Sequence, residues 1–115
     1  MVAVGLIGVA TPAVAGREIV EIGKVQVVKG VSGIVRGPNG DPVEGATVAE
    51  VSADHKTVLR SVTTDKNGRF TLAPEPGKRA YHLMVSRYGF NELLVHVRIS
   101  RWTKRLLDLR LELAT

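Results

Sequence analysis

Residues 63–72, Thr63-Thr64-Asp65-Lys66-Asn67-Gly68-Arg69-Phe70-Thr71-Leu72 (TTDKNGRFTL), are compatible with either a calcium loop or a tight turn between strands. A calcium loop of the EF-hand type needs a bidentate Glu at its twelfth position. Counted from Asp65 that position is Pro76, and Arg69 stands at the fifth. The stretch therefore predicts a bulged hairpin, in which Asp65 accepts backbone N–H bonds, Gly68 is left-handed and Phe70 points inward.

Apolar and polar residues alternate along most of the chain after residue 16, which is typical of half-buried strands. The clearest case is the C-terminal segment, where Leu107, Leu109, Leu111 and Leu113 share one face. The phase of the strand at residues 46–53 stays open, because Val48 and Glu50 share a parity. Turn-forming residues separate these runs at the spacing of a sandwich, and no window shows a helical period. The predicted structural turn residues are Gly40, Pro42, Gly45, Asp65, Asn67, Gly68, Gly77 and Gly89.

These patterns predict an all-β fold, an antiparallel β-sandwich of about seven strands. The chain has 115 residues, which is enough for one domain. It has no cysteine, which excludes disulfides and cysteine zinc sites. Its net charge of +5 favours anionic surfaces. Aromatic residues make up only 4% of the chain, too few for a base-stacking platform, so we predict no nucleic-acid partner.

The N-terminal segment resembles a secretory signal peptide. Val2 to Val9 is apolar, and Ala13-Val14-Ala15 matches a cleavage site of the Ala-x-Ala kind. The run is shorter than the roughly 20 residues that span a bilayer, so we predict no transmembrane segment. The predicted organisation is a signal peptide at 1–15, an N-terminal strand or linker at 16–28 and a β-sandwich at 29–115, in a secreted or periplasmic protein. No Lys or Arg precedes the run, so a first hydrophobic strand is the alternative.

Three segments in order resemble one family. They are V-x-G-x-V followed by G-x-P-V-x-G-A-x-V at 31–48, T-D-x-x-G-x-F at 64–70, and Y-x-L-x-V-x-x-x-G-F at 81–90. Together they resemble a carboxypeptidase regulatory-like domain, related to Cna B-type modules and to the transthyretin (prealbumin-like) sandwich. The resemblance covers about residues 29–113. It implies a prealbumin-like β-sandwich that serves as an accessory or interaction domain.

The sequence does not predict an enzyme. The related carboxypeptidases use an H-x-x-E zinc motif in a separate domain, and no His here has a Glu three positions on. No G-x-S-x-G elbow occurs. His82 and His96 fall on the polar sides of their strands and are expected to be solvated, so we predict no metal and no cofactor. A small transthyretin-like hydrolase is the alternative, and it would need His82 and His96 in one cleft.

A basic segment surrounds the single tryptophan of the chain. Its candidate binding residues are Arg98, Arg101, Trp102, Lys104 and Arg105. An exposed Trp among cations could bind an anionic glycan, a lipid head group or an acidic protein. The interpretation favoured by the sequence is a solvated hairpin whose Trp caps the open end of the core.

The function predicted from the sequence is therefore a non-catalytic secreted or periplasmic accessory module. Its expected partner is an envelope or extracellular protein, with binding of an anionic glycan or lipid head group through the Trp102 segment as an alternative. A fibre subunit that associates through an unprotected strand at residues 19–28 is a further alternative. The sequence leaves the oligomeric state open.

Overall fold

The computed structural model describes residues 19–114, which form eight β-strands and no helix. The strands are β1 (Ile19–Val28), β2 (Ser32–Arg36), β3 (Thr47–Val51), β4 (Val58–Thr63), β5 (Arg69–Thr71), β6 (Ala80–Ser86), β7 (Glu92–Ile99) and β8 (Leu107–Arg110). The predicted signal peptide at residues 1–15 lies outside the described residues. Within residues 19–114, no helix has the length and apolar character needed to cross a membrane.

The strands form two sheets that pack as a sandwich. One has five strands in the order β1-β7-β6-β3-β4, and the other has three in the order β5-β2-β8. The predicted all-β sandwich is confirmed. Two pairings, β1 with β7 and β2 with β8, run parallel, while the other four are antiparallel. Alternation alone does not reveal these parallel pairs, because each joins strands that are far apart in the sequence.

The core lies between the two sheets and follows the predicted alternation. On β6, Tyr81, Leu83 and Val85 are buried while their neighbours are partly exposed. On β8, Leu107 and Leu109 are each 2% exposed and pack against this layer. Each such buried side chain contributes about 1.5–3 kcal/mol relative to an exposed one.

The turn at residues 65–68 has the predicted chemistry but not the predicted hairpin. Asp65 Oδ1 accepts hydrogen bonds from the backbone N–H groups of Asn67 (2.8 Å) and Arg69 (2.9 Å). Gly68 has φ +75°, and Phe70 is 5% exposed. However, β4 and β5 belong to different sheets, so the turn is a corner between sheets. The prediction of a hairpin was wrong because alternation fixes which side chains point inward but not which strand is the partner.

The other predicted turn residues also lie in turns. Positive φ occurs at Gly40, Gly45, Gly77 and Gly89 as well as at Gly68. Pro42 forms an isolated bridge with Arg36. A close approach that the turn pattern does not indicate occurs at Gly33, where a Cβ would stand 2.0 Å from the carbonyl oxygen of Leu107. Only glycine fits at this position, where β2 pairs side by side with β8.

Strand β3 resolves the ambiguous phase of residues 46–53. It lies between β4 and β6, and both of its faces are covered. Val48 and Glu50 are 0% and 1% exposed, and Ala49 and Val51, on the opposite face, are 8% and 4% exposed. Because an acidic residue lies in the core and both faces of the strand are buried, the alternation of apolar and polar residues could not show which face points inward.

Candidate functional site

Residues 100–106, which we call the tryptophan loop, join β7 to β8. The loop is anchored at both ends, because Ser100 N–H donates to the carbonyl of Val28 and Lys29 N–H donates to the carbonyl of Arg105, each at 2.9 Å. Inside the loop, the Ser100 hydroxyl accepts from the N–H of Trp102 at 3.1 Å. The loop is therefore attached to β1 rather than being a free hairpin end.

Trp102 is 84% exposed. The expectation that it caps the core was wrong, because Val28 and Leu107 already close that end of the sandwich at 1% and 2% exposure. The Arg101 guanidinium carbon lies 5.0 Å from the centroid of the indole ring, which is the geometry of a cation–π contact. The indole thus stands in solvent with one face covered by a cation.

The remaining basic residues of the predicted site are exposed around this pair. Arg98 is the next-to-last residue of strand β7, and Lys104 and Arg105 lie in the tryptophan loop. Within residues 19–114, none of the ion pairs involves these three side chains or Arg101. The surface is therefore cationic and unneutralised over the part of the chain that the structure describes.

A second group of side chains, which we call the histidine cluster, consists of His55, His82 and His96. His82 on β6 and His96 on β7 are directly opposite each other in the antiparallel ladder, with their Nδ1 atoms 2.9 Å apart. His55 comes from the β3–β4 loop, where it has φ +65°. One ring nitrogen from each of the three residues lies within 4.8 Å of the others. His82 and His96 thus lie on the outer, polar face of the sheet as expected, but they are half-buried and contact each other instead of being fully solvated.

Two features of the surroundings bear on the chemistry of the histidine cluster. His96 Nε2 lies 2.8 Å from the Glu21 carboxylate on β1. Partial burial lowers the pKa of His82 below its ordinary value, and positive charge on His96 and on His55 would lower it further. His82 is therefore held in the neutral form, in which a ring nitrogen has a free lone pair.

A third polar group lies on the inner face of the same sheet, and we call it the Glu50 cluster. The Glu50 side chain is 1% exposed; Oε1 accepts from Arg60 Nε at 2.8 Å and Oε2 accepts from Lys78 Nζ. Burial alone would raise the pKa of Glu50, but the bonds from Lys78 and Arg60 outweigh it and hold the pKa below the ordinary value. Because the charge of Glu50 is fully paired, this group is structural.

Two clefts lie elsewhere. One of about 240 Å³ is lined by residues that include Val20, Leu93 and Leu111, and one of about 230 Å³ by residues that include Gly33 and Phe70. Neither cleft contains a histidine. The hydrolase alternative needs His82 and His96 in one cleft, whereas they meet on the outer face of the five-stranded sheet.

The fold places the chain among the all-β sandwich domains. Its sequence matches the carboxypeptidase regulatory-like domain over residues 30–112. The chain belongs to this family, as its motifs had indicated. Strand β1 precedes the matched segment, so the contribution of Glu21 to the histidine cluster lies outside the family match.

Comparisons with individual proteins add little to the assignment. A search of curated proteins found no match. Among solved structures, catechol 1,2-dioxygenase from Pseudomonas arvilla C-1 is similar with a TM-score of 0.49 and 16% identity, over 89% of this chain and 60% of that one. 3-Chlorocatechol 1,2-dioxygenase from Rhodococcus opacus 1CP has a TM-score of 0.48 and 14% identity, over 90% of this chain and 70% of that one. Likenesses this weak carry no argument about activity.

Proposed function

We propose that the chain is a non-catalytic interaction module that contacts its partner through the tryptophan loop. The observation that carries the proposal is the 84% exposure of Trp102 beside Arg101. Trp and Arg are the residue types most enriched among those that dominate binding energy at protein interfaces. The anchored ends of the loop reduce the conformational entropy lost on binding.

The proposed partner is an envelope or extracellular protein with an acidic surface. The exposed cations Arg98, Lys104 and Arg105 would attract such a surface, and salt would weaken the attraction. We also propose that the chain is secreted or periplasmic, on the strength of the signal-like sequence at residues 1–15. An intact mass that begins at Gly16, in protein recovered outside the cytoplasm of its native host, would support export. Protein that retains Met1 in the cytoplasm would contradict it.

Site-specific photocrosslinking in the native host tests the contact. A photoreactive amino acid at position 102 is compared with the same amino acid at position 88. Tyr88 is a matched control because it is also an aromatic residue, is 79% exposed and precedes β7, whereas Trp102 follows it. One discrete cross-linked product at 102 that is missing at 88 supports the proposal. Equal patterns at both positions, or none at 102, contradict it.

A second candidate function is the binding of an anionic glycan or lipid head group at the same loop. It is favoured by the free indole face together with unneutralised cations, because a sugar ring stacks on an aromatic face while cations pair with its carboxylates or sulfates. Titration with a sulfated oligosaccharide and, separately, with anionic lipid vesicles would test it at low and high salt. Binding that Trp102→Ala and Arg101→Ala both weaken, and that salt reduces, supports this function. Binding that Arg69→Ala on β5 weakens equally would show non-specific attraction to a basic protein.

A further inference from the structure

We propose that His55, His82 and His96 form a binding site for a divalent transition-metal ion, with zinc(II) as the representative cation. The three side chains come from separate segments of the chain, and their ligand atoms lie within 4.8 Å of one another. They are all of the histidines that the sequence contains. Neutral imidazole suits zinc, copper and nickel, whereas calcium and magnesium prefer oxygen ligands.

The carboxylate of Glu21 determines which nitrogen of His96 is available. Because a carboxylate accepts hydrogen bonds, the 2.8 Å contact between Glu21 Oε2 and His96 Nε2 assigns the ring proton of His96 to Nε2. Nδ1 is then the free lone pair, and it points toward Nδ1 of His82 at 2.9 Å. A carboxylate that orients a histidine through its other nitrogen is the usual second layer of a metal site, and it increases the basicity of the ligand.

The distances fit a site that closes by small rotations of side chains. In a tetrahedral site with Zn–N bonds of about 2.0–2.1 Å, two ligand nitrogens are about 3.3–3.4 Å apart. His82 and His96 are slightly closer than this, at 2.9 Å, because the Nδ1 proton of His82 bridges the two rings; a bound metal ion would replace that proton, which would move to Nε2 of His82 through exchange with water. His55 must approach them, and it can because its exposed ring extends from a loop; the ring centroid of His55 is 5.6 Å from that of His82 and 5.8 Å from that of His96.

The loop of His55 is built to present that ring. His55 N–H donates to the carbonyl of Ser52 at 2.8 Å, and the carboxylate of Asp54 accepts from the N–H of Lys56 at 3.0 Å. These bonds hold His55 at φ +65°, a conformation that is uncommon for residues other than glycine and that concentrates at functional sites. Three histidines leave a fourth position on the solvent side for water or for a donor from a partner.

The competing interpretation is that His82 and His96 form a simple cross-strand hydrogen bond, and that His55 lies nearby by chance. Zinc titration of the full chain, prepared without a polyhistidine tag and stripped with a chelator, separates the two. We expect one zinc ion per chain, a rise in Tm, and a tetrahedral absorption spectrum when cobalt(II) replaces zinc. A cross-strand hydrogen bond without a metal site would not produce any of these results.

Single variants locate the site. His82→Gln and His96→Gln should each weaken zinc binding at least 100-fold, and His55→Gln at least 10-fold. Glu21→Gln should weaken it by about 10–100-fold, the usual effect of removing a second-layer partner. Glu112→Gln, an exposed carboxylate on another part of the chain, is the matched control and should bind as the wild type does.

The folded state of each variant is checked by circular dichroism, and proton-coupled ¹⁵N spectra of the three rings report the tautomer of His96 directly. Nδ1 protonation of His96 in the metal-free protein would contradict the role of Glu21. Unchanged zinc affinity in His55→Gln would overturn a three-ligand site, and failure of the wild type to bind one zinc ion would overturn the proposal altogether.

Discussion

The Glu50 cluster and the histidine cluster lie on opposite faces of the same sheet, and they use their polar groups differently. Glu50 on β3 is opposite Leu83 of β6, while the next residue, Val51, is opposite His82. The carboxylate of Glu50 is 1% exposed and has both oxygens bonded to cations. The side chain of His96 is 24% exposed, and within residues 19–114 Glu21 is the one carboxylate in direct contact with the ring nitrogens of the histidine cluster.

The difference shows how burial separates structure from function. A charge taken out of water must be paired, or the fold loses several kcal/mol. Glu50 meets that requirement, and its ion pairs therefore belong to the stability of the fold. His82 and His96 are only half-buried and His55 is exposed, so the fold gains little from bringing the three rings together. Three histidine rings that converge but contribute little stability are better explained by the proposed binding of a metal ion than by packing.

The largest expected effect is on the Glu50 side of this comparison. Glu50→Ala should lower the free energy of unfolding by about 2–3 kcal/mol, because it leaves Arg60 and Lys78 without their acceptor. The value lies below that of a fully buried pair, since these two side chains are 28% and 35% exposed. Glu21→Ala, measured in chelator, is the control at the other cluster and should change stability by no more than about 0.5 kcal/mol. Urea denaturation of both variants checks this, and equal losses would break the distinction between the clusters.

The pH dependence of stability should show the same pairing of Glu50. Its pKa is lowered in the folded state, so the group binds protons more readily when unfolded. Its contribution is therefore fully present above the ordinary carboxyl pKa of 4.5 and is lost as the pH falls through the lower folded value. The stability difference between the wild type and Glu50→Gln should be constant above about pH 5 and shrink toward about pH 3.

Urea denaturation at a series of pH values measures this difference. Asp54 and Asp65 also have lowered pKa values, but they are present in both proteins and cancel in the comparison. A difference that grows as the pH falls would mean that Glu50 is protonated at neutral pH, and the pairing inferred for it would be wrong.

Much of the fold could be predicted from the sequence, and so could the pairing of two of the three residues of the histidine cluster. Alternation identified the strands, and a turn centred on Gly89 places the residues seven positions before and after it opposite each other, which are His82 and His96. The alternation puts both side chains on the polar faces of their strands, and the register of the turn then brings them opposite each other. The position of His55 could not be predicted, because it depends on the path of the β3–β4 loop.

The parallel pairing of strands also could not be predicted, because it too depends on how the chain is arranged in space and not on local sequence. Glu21 reaches His96 only because β1 runs parallel to β7 at the edge of the sheet, 75 residues away in sequence. Turn chemistry constrains strands that follow each other, and no turn connects these two. Glu50 was missed because its inward position breaks the alternation by which buried residues are recognised.

A smaller effect is expected from the histidine side of the comparison. In the presence of a chelator, His96→Gln should lower the free energy of unfolding by less than about 1 kcal/mol, because the partly exposed ring loses hydrogen bonds that water and the new amide replace. Urea denaturation with and without added zinc gives the measurement. The wild type should gain stability from zinc and the variant should not, since only binding to the folded state shifts the equilibrium. A loss comparable to that of Glu50→Ala in chelator would mean that the histidine cluster is structural.

The smallest effect is expected at the tryptophan loop, which extends the comparison to a side chain with almost no burial. Trp102→Ala should change the free energy of unfolding by no more than about 0.5 kcal/mol, because an indole that is 84% exposed has little contact with the core to lose. Since Trp102 is the single tryptophan of the chain, its fluorescence reports the same property directly. Emission typical of a hydrated indole, with ready quenching by acrylamide, is expected in the folded protein. Blue-shifted, protected emission together with a loss above about 1 kcal/mol in the variant would place the indole against the core, and the proposed contact surface would lose its central residue.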